Sequence, residues 1–318
     1  MALTEEGLVP APGCLSRWVR LPSGVRAHYT TGGADGPSVV LLHGGLPGSS
    51  GLAGWASMTA FLGANGFRVY CPDFPAFGLT ADDAGYYAAG QVGHLEFLHD
   101  FTTTLGLDRF FLAGNSMGTL NAVNYLLAHP PRVERFILIA GGVGDLVAPQ
   151  AGRGPSRPAA ATFDGSAASM RAMLDAIAHR PGELSDDLIE MRVRAANRNQ
   201  AAFARHAAAK PGEPALVGLS TRDRLDRIGI PGIYLYGRQD KLIPVERRGY
   251  AQEDALPQVQ FFYPDDCGHQ GQNDQPELFG QVFREFFRDG QVSAATARRA
   301  GVSTRRPVNL ALVADGDS

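Results

Sequence analysis

Cysteine is scarce: the 318 residues contain three, at 14, 71 and 267. An odd number at such wide spacing supports neither a disulfide framework nor a zinc-binding pattern, and a reducing cytoplasm is the expected compartment. Excess charge of one sign is also lacking. The formal net charge is −3, so no basic field marks the chain for nucleic acid or an anionic membrane. No stretch approaches the roughly 18 apolar residues of a membrane-spanning helix. The segment Met1 to Pro12 lacks the basic and apolar regions of a signal peptide. The nucleotide fingerprints are missing too, with no G-x-G-x-x-G between strand and helix and no G-x-x-x-x-G-K. Neither a cofactor nor a metal is expected, and the expected partner is a small-molecule substrate. What the chain does have is core-building material, 44% hydrophobic against 19% charged.

That material is arranged in a repeating order. Ser16 to Tyr29 alternates around Pro22-Ser23-Gly24 and predicts a β-hairpin at a sheet edge. Short apolar strands are expected at Ser38–Leu42, Phe67–Cys71, Arg109–Ala113 and Val133–Ala140. Helices are expected at Leu52–Ala64, Gln91–Leu105 and Met117–Ala128. This rhythm implies a mostly parallel central sheet with helices on both faces. After about Gly144 it stops. Ser166–Ala178 and Asp186–Ala209 read as helices, and the strands resume at Ile230–Tyr236 and Gln258–Tyr263, with helices at Val245–Ala255 and Pro276–Arg288. The reading is therefore an α/β core (1–144 and 222–290), a helical cap inserted at 145–221, and a tail (291–318) on which no regular structure is forced.

One segment points to chemistry. Gly114-Asn115-Ser116-Met117-Gly118 follows an apolar strand and opens a helix. A serine in such a sharp turn needs small flanking residues and presents its hydroxyl at the top of the sheet. The following helix points its N-terminus at the same place. A serine hydroxyl needs a base to become nucleophilic. His269, in Asp265-Asp266-Cys267-Gly268-His269, follows the last core strand, at the sheet end where active-site loops gather. The other histidines read as helix or strand residues. An acid should orient the imidazole. Asp240, after the preceding strand, fits the order serine, acid, histidine, and Asp145 is the rival. The oxyanion formed in acyl transfer needs backbone N–H donors. Met117 supplies one, and Gly45 or Leu46 in His43-Gly44-Gly45-Leu46-Pro47-Gly48 supplies the other. His43 itself reads as structural.

Together the His43–Gly48 loop, the elbow around Ser116, Asp240 and Cys267-Gly268-His269 resemble the α/β-hydrolase superfamily over about residues 16 to 288. The Asn-Ser-Met elbow and the Pro47-Gly48 loop are most similar to the meta-cleavage product hydrolases, which cut carbon–carbon bonds in vinylogous diketo acids from bacterial aromatic degradation. The resemblance implies substrate contacts from Gly44, Leu46, Asn115 and Gln270. It also implies one from Arg192, matching a cap-helix arginine that contacts the substrate carboxylate or enol. The alternative for Arg192 is a solvated helix arginine beside Arg194 and Arg198. The resemblance also allows a homodimer. Three features depart from the pattern: Gln270 stands where a tryptophan is usual, Leu46 where a third small residue is usual, and Trp55 is followed by Ala56-Ser57 rather than leading to a nearby asparagine. These changes fall on the substrate pocket. Two other functions therefore stay open, a carboxylesterase or lactonase and a non-catalytic ligand-binding protein.

Overall fold

The computed structural model describes residues 3–80, 85–147, 163–208, 219–307 and 313–314. Eight strands form one sheet: β1 (Leu15–Arg20), β2 (Arg26–Gly32), β3 (Ser38–Leu42), β4 (Arg68–Pro72), β5 (Phe110–Asn115), β6 (Val133–Ile139), β7 (Gly232–Leu235) and β8 (Gln260–Phe262). Their order is β1-β2-β4-β3-β5-β6-β7-β8. The expected hairpin occupies one edge, with β1 antiparallel to β2 and β2 antiparallel to β4. Every pairing from β4 to β8 is parallel.

The strand sequences explain this arrangement. β3 and β5 are buried at every residue, as strands covered on both faces must be. Alternate side chains enter opposite cores, following the two-residue strand period. Val39, Leu41, Phe111 and Ala113 join Trp55, Met58 and Leu62 of α1 (Gly51–Ala64) on one face. Phe279, Val282, Phe283 and Phe286 of α9 (Pro276–Asp289) complete that core. Val40, Leu42 and Leu112 face the other way. They meet Phe97, Leu98 and Phe101 of α2 (Gln91–Thr104) and Ala122, Val123 and Leu126 of α3 (Met117–Ala128). Because the central strands are parallel, the loops after β3, β5, β7 and β8 all emerge at one rim.

Between β6 and β7 lie α4 (Ala167–Asp175), α5 (Asp186–Arg198) and α6 (Gln200–Ala208). Ser185 caps α5 by accepting from the Leu188 amide at 3.2 Å, with Asp186 and Asp187 in the first turn, where acids complement the helix dipole. Met170, Met173, Leu174, Ile189, Val193 and Ala196 form a separate small core for these helices. The single helix expected at Asp186–Ala209 is broken at Asn199. Its side-chain amide donates to the carbonyls of Ala195 (3.0 Å) and Gly78 (2.9 Å), pinning the break to the loop after β4. Ala209, and the parts of the expected cap at 148–162 and 209–218, lie outside the described residues.

The tail differs from expectation. Residues 292–303 are packed against the core, with β9 (Val292–Ser293), α10 (Ala294–Arg299) and buried Val292, Ala297 and Ala300. Val302 bridges Phe262 on the outer edge of β8, so the segment covers a sheet edge that would otherwise be unpaired. Six residues of α10 are too few to display a helical period. β10 (Val313–Ala314) runs parallel to β9, and the tail's 308–312 and 315–318 lie outside the described residues. Helix α7 (Gly249–Ala255) and the short α8 (Gly271–Asp274) complete the described helices. Among the described residues no helix is long and apolar enough to cross a membrane.

Candidate active site

Ser116 occupies the turn from β5 to α3 with φ 58° and ψ −117°, a backbone conformation that costs energy for any residue but glycine. The two flanking glycines make the turn feasible. A Cβ at Gly114 would collide with the Gly118 carbonyl, and one at Gly118 with the carbonyl of Leu42. The elbow is thus wedged between β3 and α3, with its serine at the rim.

Asp240 lies in the loop after β7 and His269 in the loop after β8. Both are almost fully buried, at 3% and 2% exposure. His269 Nδ1 lies 2.8 Å from Asp240 Oδ2. The other carboxylate oxygen accepts from the Leu242 and Ile243 amides at 2.9 and 2.8 Å. These bonds aim the carboxylate at Nδ1 and leave Nε2 as the unprotonated nitrogen. Nε2 is buried and makes no hydrogen bond with Ser116 or any other described group, and such bonds are often loose before substrate binds. The tie between the two loops runs instead through Asn115, whose amide donates to the His269 carbonyl at 2.8 Å and to that of Ile139 at 3.3 Å. Asn115 is 1% exposed. Its amide nitrogen is committed to these two backbone carbonyls and braces the loops.

The loop after β3 crosses this elbow. A Cβ at Gly44 would sit 3.4 Å from Ser116 Cβ, and one at Gly45 2.9 Å from Met117 Sδ. Glycine at 45 lets the loop pass close to Met117 without displacing its side chain. His43 holds the loop in place. The Phe74 amide donates to its Nε2 at 3.1 Å, so Nδ1 carries the hydrogen directed 2.7 Å to the Gly44 carbonyl. Burial lowers the pKa of His43 and keeps it neutral. Leu46 packs against the α4–α5 core.

Arg192 is not a solvated arginine. It is 3% exposed, and its guanidinium donates to the Pro47 carbonyl and the Ser49 hydroxyl, each at 3.2 Å. Its Nε has no partner, and no carboxylate among the described residues pairs with it. Burial lowers its pKa to about 10, which still leaves it charged at neutral pH. A Cβ at Gly48 would collide with the Arg192 carbonyl, so helix and loop touch through backbone. Ser49, unremarked in the sequence, is the loop's side-chain partner for this cation.

Two expected residues stand elsewhere. Asp145 does not approach His269. It accepts from Ser220 Oγ (2.7 Å) and from the Thr221 (2.6 Å) and Arg222 (3.2 Å) amides. Burial raises its carboxyl, but these hydrogen bonds outweigh that effect and hold it down at about 2. Gln270 precedes α8, and its side-chain oxygen accepts from Asn273 at 3.2 Å at the surface.

The model of the α/β hydrolase fold matches residues 37–276. The chain belongs to the α/β-hydrolase family. Within the family it is 29% identical to a 2-hydroxy-6-oxononadienedioate/2-hydroxy-6-oxononatrienedioate hydrolase of Paraburkholderia phymatum, over 85% of this chain and 95% of that one. It is 32% identical to the 2-hydroxy-6-oxo-2,4-heptadienoate hydrolase of Pseudomonas putida, over 84% and 94%. The α/β-hydrolase fold is shared with the solved 2-hydroxy-6-oxo-6-phenylhexa-2,4-dienoate hydrolase of Rhodococcus at TM-score 0.70 and 21% identity, over 86% of this chain and 99% of that one. It is also shared with a carboxylesterase of Bacillus subtilis at TM-score 0.69 and 22% identity, over 88% and 93%.

Proposed function

We propose that the chain is a serine-triad hydrolase that cleaves a carbon–carbon bond in vinylogous diketo acids of the meta-cleavage type. The observation that carries this reading is Arg192, a buried cation without a carboxylate, laid along the loop that passes the nucleophile. A buried charge without a counter-ion is costly. An anionic substrate group supplies the missing partner, as a charge-assisted pair. The names of the curated relatives fit the same substrate class.

In this reading His269 Nε2 takes the Ser116 proton, and Oγ attacks the substrate ketone. The amides of Met117 and Gly45 hold the oxyanion. Collapse breaks the carbon–carbon bond, and a conjugated carbonyl takes up the electron pair, with the enolate or carboxylate end near Arg192. The imidazolium of His269 returns its proton to the leaving carbon. Water, deprotonated by His269, then cleaves the acyl-enzyme to a carboxylic acid. The helical cap of this reading runs from 145 to 221. The reading also puts the enzyme in the cytoplasm and allows a homodimer; its three cysteines are free thiols.

A second reading, a carboxylesterase, is favoured by Gln270, which stands where the resembled hydrolases carry a tryptophan. Comparing wild type with Arg192→Ala on a dienoate and on a neutral nitrophenyl ester separates the two. Loss of dienoate cleavage with ester cleavage retained supports the first reading. Equal retention of both supports the second.

A further inference from the structure

The segment preceding β1 is tied to the outer side of the helix that carries Arg192. A tight turn forms first: the Thr4 amide donates to the Leu8 carbonyl at 2.9 Å, the Gly7 amide to the Thr4 carbonyl at 2.8 Å, and the Leu8 amide to Thr4 Oγ1 at 3.1 Å. The turn sets Leu8 into a buried apolar patch with Leu52, Leu79 and Met191. Leu8 is 7% exposed and Met191 3%. The Val9 amide donates to Met191 Sδ at 3.3 Å. A Cβ at Gly7 would lie 3.4 Å from Arg194 Cδ. Residues 191 and 194 flank Arg192 on α5, so the segment bears on that stretch of helix.

The segment is anchored at its other side by hydrogen bonds that lead through the loop after β4 to Ser49. Glu6 accepts from Trp18 Nε1 at 2.9 Å and from Ser16 Oγ at 2.7 Å. Ser16 Oγ lies 2.9 Å from His28 Nε2, and His28 Nδ1 lies 2.8 Å from Asp73 Oδ2. Asp73 accepts from the Gly51 amide at 2.7 Å and the Leu79 amide at 2.8 Å, and the Gly78 amide donates to the Ser49 carbonyl at 3.0 Å. Ser49 is the residue whose hydroxyl receives Arg192. Ser16, His28 and Asp73 have the spacing of a second triad. However, Ser16 points its hydroxyl hydrogen at an acceptor other than the histidine, and it is paired within the β1–β2 ladder. The hydrogen bonds leading from Glu6 to Ser49 form a brace, reaching Arg192 from the Ser49 side while Leu8 and Val9 reach it from the Met191 side.

We infer that the Thr4–Val9 segment is a positioning strap for Arg192, with Leu8 as its key side chain and Glu6 as its anchor, so that this segment governs recognition of the substrate's anionic end. This rests on the proposed role of Arg192. A strap of this kind acts on binding of the anion and leaves chemistry at Ser116 untouched, because no strap residue contacts the elbow.

The test compares wild type, Leu8→Ala, Glu6→Gln, Met191→Leu and Arg192→Ala, with Gly229→Ala, which lies in open space, as the control. Each is offered a meta-cleavage dienoate and a neutral nitrophenyl ester. Leu8→Ala should raise KM for the dienoate about tenfold, with kcat for either substrate and KM for the ester within about twofold. Met191→Leu keeps the apolar volume but removes the sulfur that accepts the Val9 amide, so it should raise the dienoate KM by less. Gly229→Ala should behave as wild type. Glu6→Gln, which keeps the core intact, should shift KM in the same direction by less, and stands in if Leu8→Ala fails to fold. Hydrogen exchange of the α5 amides reads the strap independently of substrate: faster exchange in α5, unchanged in α3, is expected for Leu8→Ala. An unmoved dienoate KM in folded variants alongside a raised KM in Arg192→Ala would overturn the strap alone. Unchanged exchange in α5 would do so whatever the substrate. No KM change in Arg192→Ala would overturn the role of Arg192 and the strap's function with it.

Discussion

Asp240 spends one carboxylate oxygen on two amides and the other on His269, 2.8 Å away. The carboxylate is therefore held in place, and it dictates which ring nitrogen of His269 bears hydrogen. Asp240→Asn preserves the shape but removes the charge and favours the wrong tautomer. Turnover should fall by about 10⁴, with the unfolding midpoint nearly unchanged. Single-turnover kinetics on the dienoate, beside a denaturant titration, check both.

Asn115, beside the proposed nucleophile Ser116, donates to the backbone carbonyl of the proposed base His269. Asn115→Ala frees the loop bearing His269 and leaves the buried His269 carbonyl short of a donor, while the Ile139 carbonyl keeps the Ser116 amide and the Thr119 hydroxyl. A displacement of about 1 Å at reacting groups costs about 10²-fold, and a loss of that order in kcat is expected, with KM little changed. Steady-state kinetics on the dienoate and on a neutral ester should show the same loss, since both use the same base.

The elbow glycines predict a stability effect. Gly118→Ala drives a methyl into the Leu42 carbonyl, and backbone on both sides prevents relief. Overpacking of this kind costs about 3 kcal/mol, read as a lower denaturant midpoint. Ala at Gly229, which has open space around it, is the control and should cost little.

Asp145 predicts a pH effect. Its carboxyl is held at about 2 in the folded protein, below the ordinary carboxylate value of about 3.9 in the unfolded chain. A depressed pKa means the folded state favours the ionised form. The associated stability is complete above about pH 4 and is lost as pH falls through about 2. The side chain is largely exposed, so the effect is modest. Asp145→Asn should lower the denaturant midpoint at pH 6, and the gap from wild type should close steadily toward pH 2.

The positions of the three proposed catalytic residues were legible because each is a local pattern at the end of an apolar strand: Ser116 after β5, Asp240 after β7, His269 after β8. The sheet was legible for the same reason, since Ser38–Leu42 and Arg109–Ala113 have the unbroken apolar runs of strands covered twice. What could not be read depends on contacts far apart in sequence. Asn115 meets the His269 carbonyl across 154 positions, and nothing in Gly-Asn-Ser announces a brace. The break at Asn199 depends on the Gly78 carbonyl; the residues around it alone look continuously helical. Residues 292–303 lack a period because α10 is short and the remainder packs through single apolar side chains. Arg192 was legible as a candidate, but its burial came from loop backbone at Pro47 and Gly48 pressing on α5.

The most direct measurement is turnover of a meta-cleavage dienoate by purified wild-type and Ser116→Ala protein, followed as loss of the substrate chromophore. The account predicts cleavage by wild type and a loss of about 10⁶ in kcat for the variant, which still folds and still binds the dienoate. Near-normal cleavage by Ser116→Ala would contradict it.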